Sequence, residues 1–215
     1  MPPKSFFITA TGTDIGKTYI ATALCRYLVR QGHSVRAFKP VISGWQEGDN
    51  DTVQLLRSLD LPINPQTINA CSPWRFSAAL SPDMAAAKEG RTLRAAEIAE
   101  YCQDKTADYV IIEGAGGVMV PINTTETMLD MMRLIDAPVI LVTGSYLGSL
   151  SHTLTAVKTL TGLHLHAVIV NETEGSTVDL AETTQSLRNF ITAPVIALPR
   201  KNTDLDQIIE KLLQT

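Results

Sequence analysis

The chain is 215 residues long, 45% hydrophobic and 19% charged. That apolar share supplies a sizeable core and excludes a disordered or fibrous chain. Eighteen Lys and Arg against twenty-two Asp and Glu leave a net charge of −4, so no basic surplus favours a nucleic-acid partner. The length suits a single catalytic domain over residues 1–215, without room for a second module. Cys25, Cys71 and Cys102 are scattered, with no CxxC pair, which points to a reducing compartment and away from a disulfide framework or zinc site. The apolar run at 6–9 is too short for a signal peptide, and no run approaches the roughly 18 apolar residues of a membrane span. A soluble cytoplasmic protein with no membrane partner is expected.

In chain order, the first predicted strand covers 6–9 and leads into Thr9-Ala10-Thr11-Gly12-Thr13-Asp14-Ile15-Gly16-Lys17-Thr18. This loop opens a helix predicted over 17–30, where Ile20, Leu24 and Leu28 recur at i+4 and Gly32 ends the pattern. A buried strand, a glycine-bearing turn and a helix N-terminus make the context of a phosphate-cradling loop. Amides there face the anion, Lys17 reaches the β- and γ-phosphates, and Thr18 offers a hydroxyl to Mg²⁺. The bland alternative, a turn that happens to contain Gly-Lys-Thr, is outweighed by that context. The usual spacing places the first glycine at position 11, which is Thr here, with Gly12 one step later. The shift bears on the subfamily and hardly on phosphate binding.

A second strand, 35–39, ends on Lys39, and Pro40 then forces the chain out of the ladder. A cation at this tip faces the phosphate edge and can neutralise charge on a transferred phosphoryl group or an anionic substrate, although a strand-end lysine alone is also an ordinary surface residue. Ser43 and Gly44 follow, offering a hydroxyl and close backbone approach. In the helix predicted over 51–59, Asp51 is either an N-cap or a metal carboxylate, and spacing does not separate it from Asp49. Residues 60–92 carry Pro62, Pro65, Pro73 and Pro82 with the exposed-looking Trp74 and Phe76. They break the rhythm and are read as an insertion or elaborated connection lining a site.

A helix over 94–102 precedes a strand over 109–112 that ends at Glu113, before Gly114-Ala115-Gly116-Gly117. In a parallel sheet that carboxylate lies on the ligand-binding edge and can hold Mg²⁺ directly or through water. Strands at 139–143, 167–170 and 195–198 alternate with helices at 148–160, 179–190 and 205–213. The pattern implies a three-layer, doubly wound, mostly parallel α/β sheet with helices on both faces. His33, His152, His164 and His166 lack metal-ligand spacing and are read as structural or surface residues.

Taken together, Thr11-Gly12-Thr13-Asp14-Ile15-Gly16-Lys17-Thr18, Phe38-Lys39-Pro40-Val41-Ile42-Ser43-Gly44, Ser81-Pro82 and Glu113-Gly114-Ala115-Gly116-Gly117-Val118 resemble the dethiobiotin synthetase family. The likeness continues through Pro138-Val139-Ile140-Leu141-Val142, Leu147-Gly148 and Asn171. The resemblance implies the P-loop NTPase fold and a ligase of biotin synthesis. Such a ligase uses ATP and Mg²⁺ to join CO₂ to 7,8-diaminononanoate, closing the cyclic urea of dethiobiotin. It implies that Lys17 and the amides of Asp14, Ile15, Gly16, Thr18 and Tyr19 hold the triphosphate, and that Thr18, Asp51 and Glu113 hold Mg²⁺. Lys39 looks like the family's catalytic lysine, supported by Lys17, while Thr13 and Ser43 look like diamine contacts. Glu113, Gly114, Ala115 and Gly116 would line both substrate and nucleotide.

Asn171, followed by Glu172, is similar to the family's adenine reader; without the family it reads as a turn residue. Pro199, Arg200 and Lys201 correspond to a nucleotide contact. Gly148 and Ser151 correspond to the seat of the substrate's remote carboxylate, at a helix N-terminus that the family supplies from the neighbouring subunit, so a homodimer is implied. From the residues alone, Ser149 or Ser151 is a plain N-cap. The chain departs from many relatives at Ala10, where Gly is common, at Glu172, where Asp is common, and after Pro199.

A partition or site-placement ATPase of the same nucleotide-binding class would carry a further Lys near the loop's start. Here Thr11, Gly12, Thr13, Asp14 and Ile15 precede Gly16. A cobyrinate-type amidase would need an attached glutaminase domain, which 215 residues cannot hold. A nucleotide-binding regulatory module would not depend on Lys39.

Overall fold

A computed structural model describes residues 3–104, 106–201 and 205–214. The chain runs through β1 (Lys4–Ala10), α1 (Lys17–Arg30), β2 (Val35–Phe38), β3 (Val41–Ser43), α2 (Asp51–Ser58), α3 (Pro65–Cys71), β4 (Trp74–Phe76), α4 (Pro82–Lys88) and α5 (Ala95–Tyr101). It continues with β5 (Tyr109–Glu113), α6 (Met128–Ile135), β6 (Val139–Gly144), α7 (Ser149–Thr159), β7 (Leu165–Asn171), α8 (Leu180–Arg188), β8 (Val195–Leu198) and α9 (Leu205–Gln214). Six strands form one sheet in the order β2-β5-β1-β6-β7-β8, and every adjacent pair is parallel.

The two-residue period of a strand sorts side chains between two cores. Phe7, Val110, Ile112, Leu141 and Val168 join one cluster, which α5, α6, α7 and α8 cover through Ile98, Met131, Ala156 and Leu187. Phe6, Ile8, Ile111, Ile140 and Ile169 join the other, beneath Leu24 of α1, Leu55 of α2 and Leu212 of α9. Both faces are dry. That is why the strands read as continuous apolar runs, and the expected three-layer doubly wound sheet is present.

Register decides where the chemistry falls. Ile8 lies opposite Glu113, and Phe38 lies opposite Ile112. One step further, Lys39 leaves β2 beside the Glu113 carboxylate. The helix after β1 packs on one face and the helix after β5 on the other, so their loops diverge and leave a crevice at the carboxyl edge.

Residues 60–92, expected to be an insertion or elaborated connection, contain α3, β4 and α4. Asn64 and Thr67 form a reciprocal capping box with Pro65 in the first turn. Pro82 likewise opens α4. These prolines mark helix starts. Phe76 is fully buried, contrary to its exposed appearance in the sequence, and Trp74 is half-buried. β4 pairs in parallel with β3 as a separate two-stranded sheet. A further helix not expected from the sequence is α6. Its first turn is fixed by Asp130, whose carboxylate accepts from both the amide and the hydroxyl of Thr127 at 2.8 Å.

The α6 assignment predicts a sharp contrast between two neighbours on that helix. Met131 is fully buried and Leu134 is 51% exposed. Met131→Ala should destabilise the protein by about 2–5 kcal/mol, and Leu134→Ala by no more than about 0.5 kcal/mol, read by urea denaturation. Equal losses would contradict the helical register.

Candidate active site

The turn between β1 and α1 wraps the helix N-terminus. Gly16 adopts φ 106°, a left-handed conformation, and a Cβ there would meet the Asn171 amide nitrogen at 2.5 Å. Asn171 closes this turn from the end of β7 by donating to the Ile15 carbonyl at 2.9 Å. Lys17 folds back to donate to the Gly12 carbonyl at 2.9 Å. Thr11, where a glycine is usual, meets the Thr143 hydroxyl at 3.2 Å, and Thr143 meets Thr153 of α7 at 2.8 Å. Position 11 thus tethers the loop to β6 and α7.

Beside the loop lies a buried charge cluster. Glu113 is 1% exposed, Lys39 4% and Lys17 6%. Lys39 Nζ reaches Glu113 Oε1 at 2.6 Å, the Gly114 carbonyl at 3.3 Å and Asp51 Oδ2 at 2.9 Å. Thr18 donates to the same Glu113 Oε1 at 2.7 Å. The other oxygen, Glu113 Oε2, is buried and has no hydrogen-bond partner among the described residues. Gly116, at φ 59°, completes the turn beyond; a Cβ there would strike Val120 at 2.5 Å.

The two lysines titrate in opposite directions. Burial, and then the Lys39 charge, push Lys17 down from 10.5 to about 8. Burial also works against the Lys39 ammonium, but Glu113 and Asp51 outweigh it and its pKa is raised. Asp51 loses less to burial than it gains from Lys39 and the Thr18 hydroxyl, so its carboxyl is held below the ordinary range.

Both lysines open onto one cleft of about 360 Å³, as the sequence reading requires. Its walls bring together Thr13, Asp14, Gly16 and Thr18 from the loop, Ser43 and Asp51 from the segment after Lys39, and Glu113, Ala115 and Gly116. Gly114 contributes its carbonyl to Lys39 and is buried. Asp14 is shared with a second cleft of about 320 Å³, lined by Ile15, Asn171, Glu172 and Arg200. There Glu172 accepts the Arg200 amide at 2.8 Å, and the Arg200 guanidinium pairs with Glu174 at 2.7 Å. Tyr19, Pro199 and Lys201 are exposed and line neither cleft. Gly148 and Ser151 are exposed at the start of α7 and also line neither cleft. Sequence reasoning missed Thr143, Thr153 and Tyr146; Tyr146 lines the second cleft.

The main cleft can hold an anion and a cation side by side. Lys17 and the α1 N-terminus favour the anion. The Thr18 hydroxyl with the Asp51 and Glu113 carboxylates forms an all-oxygen set suited to a hard divalent ion, and the unpartnered Glu113 Oε2 supplies a vacant donor for it. Among the described residues no group of three His, Cys, Asp or Glu could hold a metal by itself, so phosphate oxygens or water must complete any coordination shell.

Lys17 has a stability consequence. Its folded-state pKa, about 8, lies below the ordinary 10.5. Holding it charged therefore costs folding free energy below pH 8, roughly 3 kcal/mol at ~1.4 kcal/mol per pH unit. The cost fades as pH rises from 8 to 10.5, because the unfolded chain then binds more protons than the folded one. Lys17→Met should stabilise the protein by about 1–3 kcal/mol at pH 7, with the gain shrinking above pH 8 in urea denaturation. A pH-independent difference, or a loss at pH 7, would contradict this reading.

Residues 4–208 match a family described as an AAA domain. The ATP-dependent dethiobiotin synthetase BioD of Methylobacterium nodulans is 44% identical over 186 residues, covering 80% of this chain and 83% of that protein. The protein of the same name from Caulobacter vibrioides is 39% identical and covers 98% of this chain and 99% of its own. Among solved structures, a ParA family ATPase from Chlorobium tepidum aligns with TM-score 0.53 at 14% identity, covering 99% of this chain and 88% of that one. The signal recognition particle receptor FtsY from Elizabethkingia anophelis aligns with TM-score 0.54 at 16% identity. This chain is covered to 91% there but spans only 56% of the receptor chain. At such identities the structural likeness establishes the nucleotide-binding fold alone. The sequence relatives, matched over 83% and 99% of their own length, establish more: the chain belongs to the dethiobiotin synthetase family.

Proposed function

We infer that the chain is an ATP-dependent dethiobiotin synthetase acting as one catalytic domain over residues 1–215. It carboxylates 7,8-diaminononanoate with CO₂ and closes the ureido ring, releasing ADP and phosphate. The observation that carries the reading is the shared cleft. Lys17, Lys39 and Glu113, all buried, face one space with Thr13 and Ser43 at its wall. One amine of the diamine captures CO₂ as a carbamate, losing a proton. A carbamate oxygen takes the γ-phosphoryl group and ADP leaves. The second amine then attacks the carbonyl carbon, expelling phosphate and closing the ring.

These steps need positioning and charge neutralisation and no nucleophilic side chain. The obstacle is repulsion between carbamate and triphosphate. Lys17 meets the phosphates, Lys39 the oxygen shared between the two anions, and Thr13 and Ser43 orient the diamine head. Mg²⁺, held by Thr18, Asp51 and Glu113, would supply the remaining positive charge on the triphosphate. Asp14, Ile15, Gly16 and Tyr19 offer amides to the phosphates. The adenosine end falls to the second cleft, with Asn171, Glu172 and the segment Pro199, Arg200 and Lys201 beside it.

A homodimer is proposed, in which Gly148 and Ser151 of a second copy bind the substrate's remote carboxylate. Their exposure, beside Leu147 at 90%, supports that reading. No helix among the described residues is long and apolar enough to cross a membrane. The three buried free cysteines support a cytoplasmic location. A switch-type ATPase has fold likeness alone in its favour, since Lys17 is the sole lysine of the loop.

Lys17→Ala and Lys39→Ala should each lower incorporation of labelled CO₂ into acid-stable product by at least about 100-fold, with circular dichroism unchanged. Parent-like yields would remove these lysines from the mechanism. Sedimentation should give twice the 23.4 kDa chain mass, and Ser151→Trp should raise the diamine KM and weaken the dimer; a monomer that remains fully active would overturn the interface.

A further inference from the structure

An ammonium group has three N–H donors. Lys39 donates to Glu113 Oε1 and the Gly114 carbonyl and pairs with Asp51 Oδ2 at 2.9 Å. All of these contacts lie within the charge cluster. The two side-chain acceptors belong to the carboxylates that fit a divalent ion, and Glu113 Oε1 is already shared with the Thr18 hydroxyl at 2.7 Å. Meanwhile Glu113 Oε2 is buried and has no hydrogen-bond partner among the described residues. We propose that Lys39 is the resting counter-ion of the metal site and is displaced when the metal–nucleotide pair binds, so that its donors reach the carbamylated substrate only afterwards.

Charge explains the exchange. A fully buried carboxylate, Glu113, with the half-buried Asp51 beside it, is costly without a cation, so the resting protein needs an internal positive charge. A divalent ion on Thr18, Asp51 and Glu113 makes that charge redundant and repels it. The flexible four-carbon stem of Lys39 then lets the ammonium move a short distance along the same cleft, where the anionic substrate is the strongest remaining acceptor. This inference rests on the metal and nucleotide reading above.

The test follows the Lys39 ammonium by ¹H–¹⁵N NMR in the full chain, assigned with Lys39→Arg. In the resting protein its protons should exchange slowly with water. Magnesium chloride with a non-hydrolysable ATP analogue should shift the signal and speed exchange about tenfold or more, as expected if the bonded state falls from dominant to minor. The diamine alone should leave it unchanged. A second readout is Mg²⁺ affinity without nucleotide. Lys39→Met should bind Mg²⁺ about tenfold tighter, because the carboxylates are no longer occupied. Lys17→Met removes the same charge from the same cleft without vacating a carboxylate, and should change affinity far less. A Lys39 signal that stays protected in the metal–nucleotide complex, or equal tightening in the two variants, would overturn the proposal while leaving the function intact. Failure of the parent protein to bind the analogue with Mg²⁺ at all would instead remove the reading on which it rests.

Discussion

A carboxylate buried to 1% exposure at the tip of a central strand is the constraint around which this molecule is arranged. Isolated, the Glu113 anion would neutralise or unfold the site. Its partners arrive from separate elements: Lys39 from the end of β2 and Thr18 from the first turn of α1. Asp51, first residue of α2, brings a second carboxylate to the Lys39 ammonium. Residues far apart in sequence are thus held at one point of the carboxyl edge. Replacing a buried ion cluster by well-packed hydrophobic residues is often neutral or stabilising, so folding alone does not call for one here.

The two cleft lysines embody different solutions to burial. Lys39 is over-compensated, with its pKa raised, while Lys17 is under-compensated and falls to about 8. An under-compensated buried cation costs stability, the relation often found where stability and activity compete.

How much of this is legible in the sequence depends on whether a signal is local. Lys17, Lys39 and Glu113 can be found because each ends a strand or opens a helix at a recognisable boundary. The sheet itself follows from apolar runs, whose two faces are both covered. The short helices α3 and α4, of 7 residues each, offer less than two full periods, and Pro65 and Pro82 look like breakers until the capping geometry is seen. Phe76 looks exposed because it sits in a proline-rich stretch, yet it joins the core cluster with Phe38 and Leu93. Spacing alone does not separate Asp51 from Asp49; the family resemblance singles out Asp51, and in the fold Asp51 touches Lys39 whereas Asp49 pairs with the exposed Arg57. Least legible is Asn171, whose amide meets a carbonyl 156 positions away.

The displaced glycine of the phosphate loop has a physical reason of the same long-range kind. Thr153 donates its hydroxyl hydrogen to the Ser149 carbonyl at 2.6 Å. Its oxygen must then accept from Thr143, at 2.8 Å, and Thr143 in turn must accept from Thr11, at 3.2 Å. The chain of hydroxyls has one polarity, running from the loop into the first turn of α7. Thr143 and Thr153 are fully buried, so a glycine at 11 would leave the Thr143 oxygen without its donor in a dry interior. Position 11 therefore serves as a donor that glycine cannot replace. The conformational freedom of the turn is met at Gly16, where the left-handed backbone and the nearby Asn171 amide leave no space for a side chain.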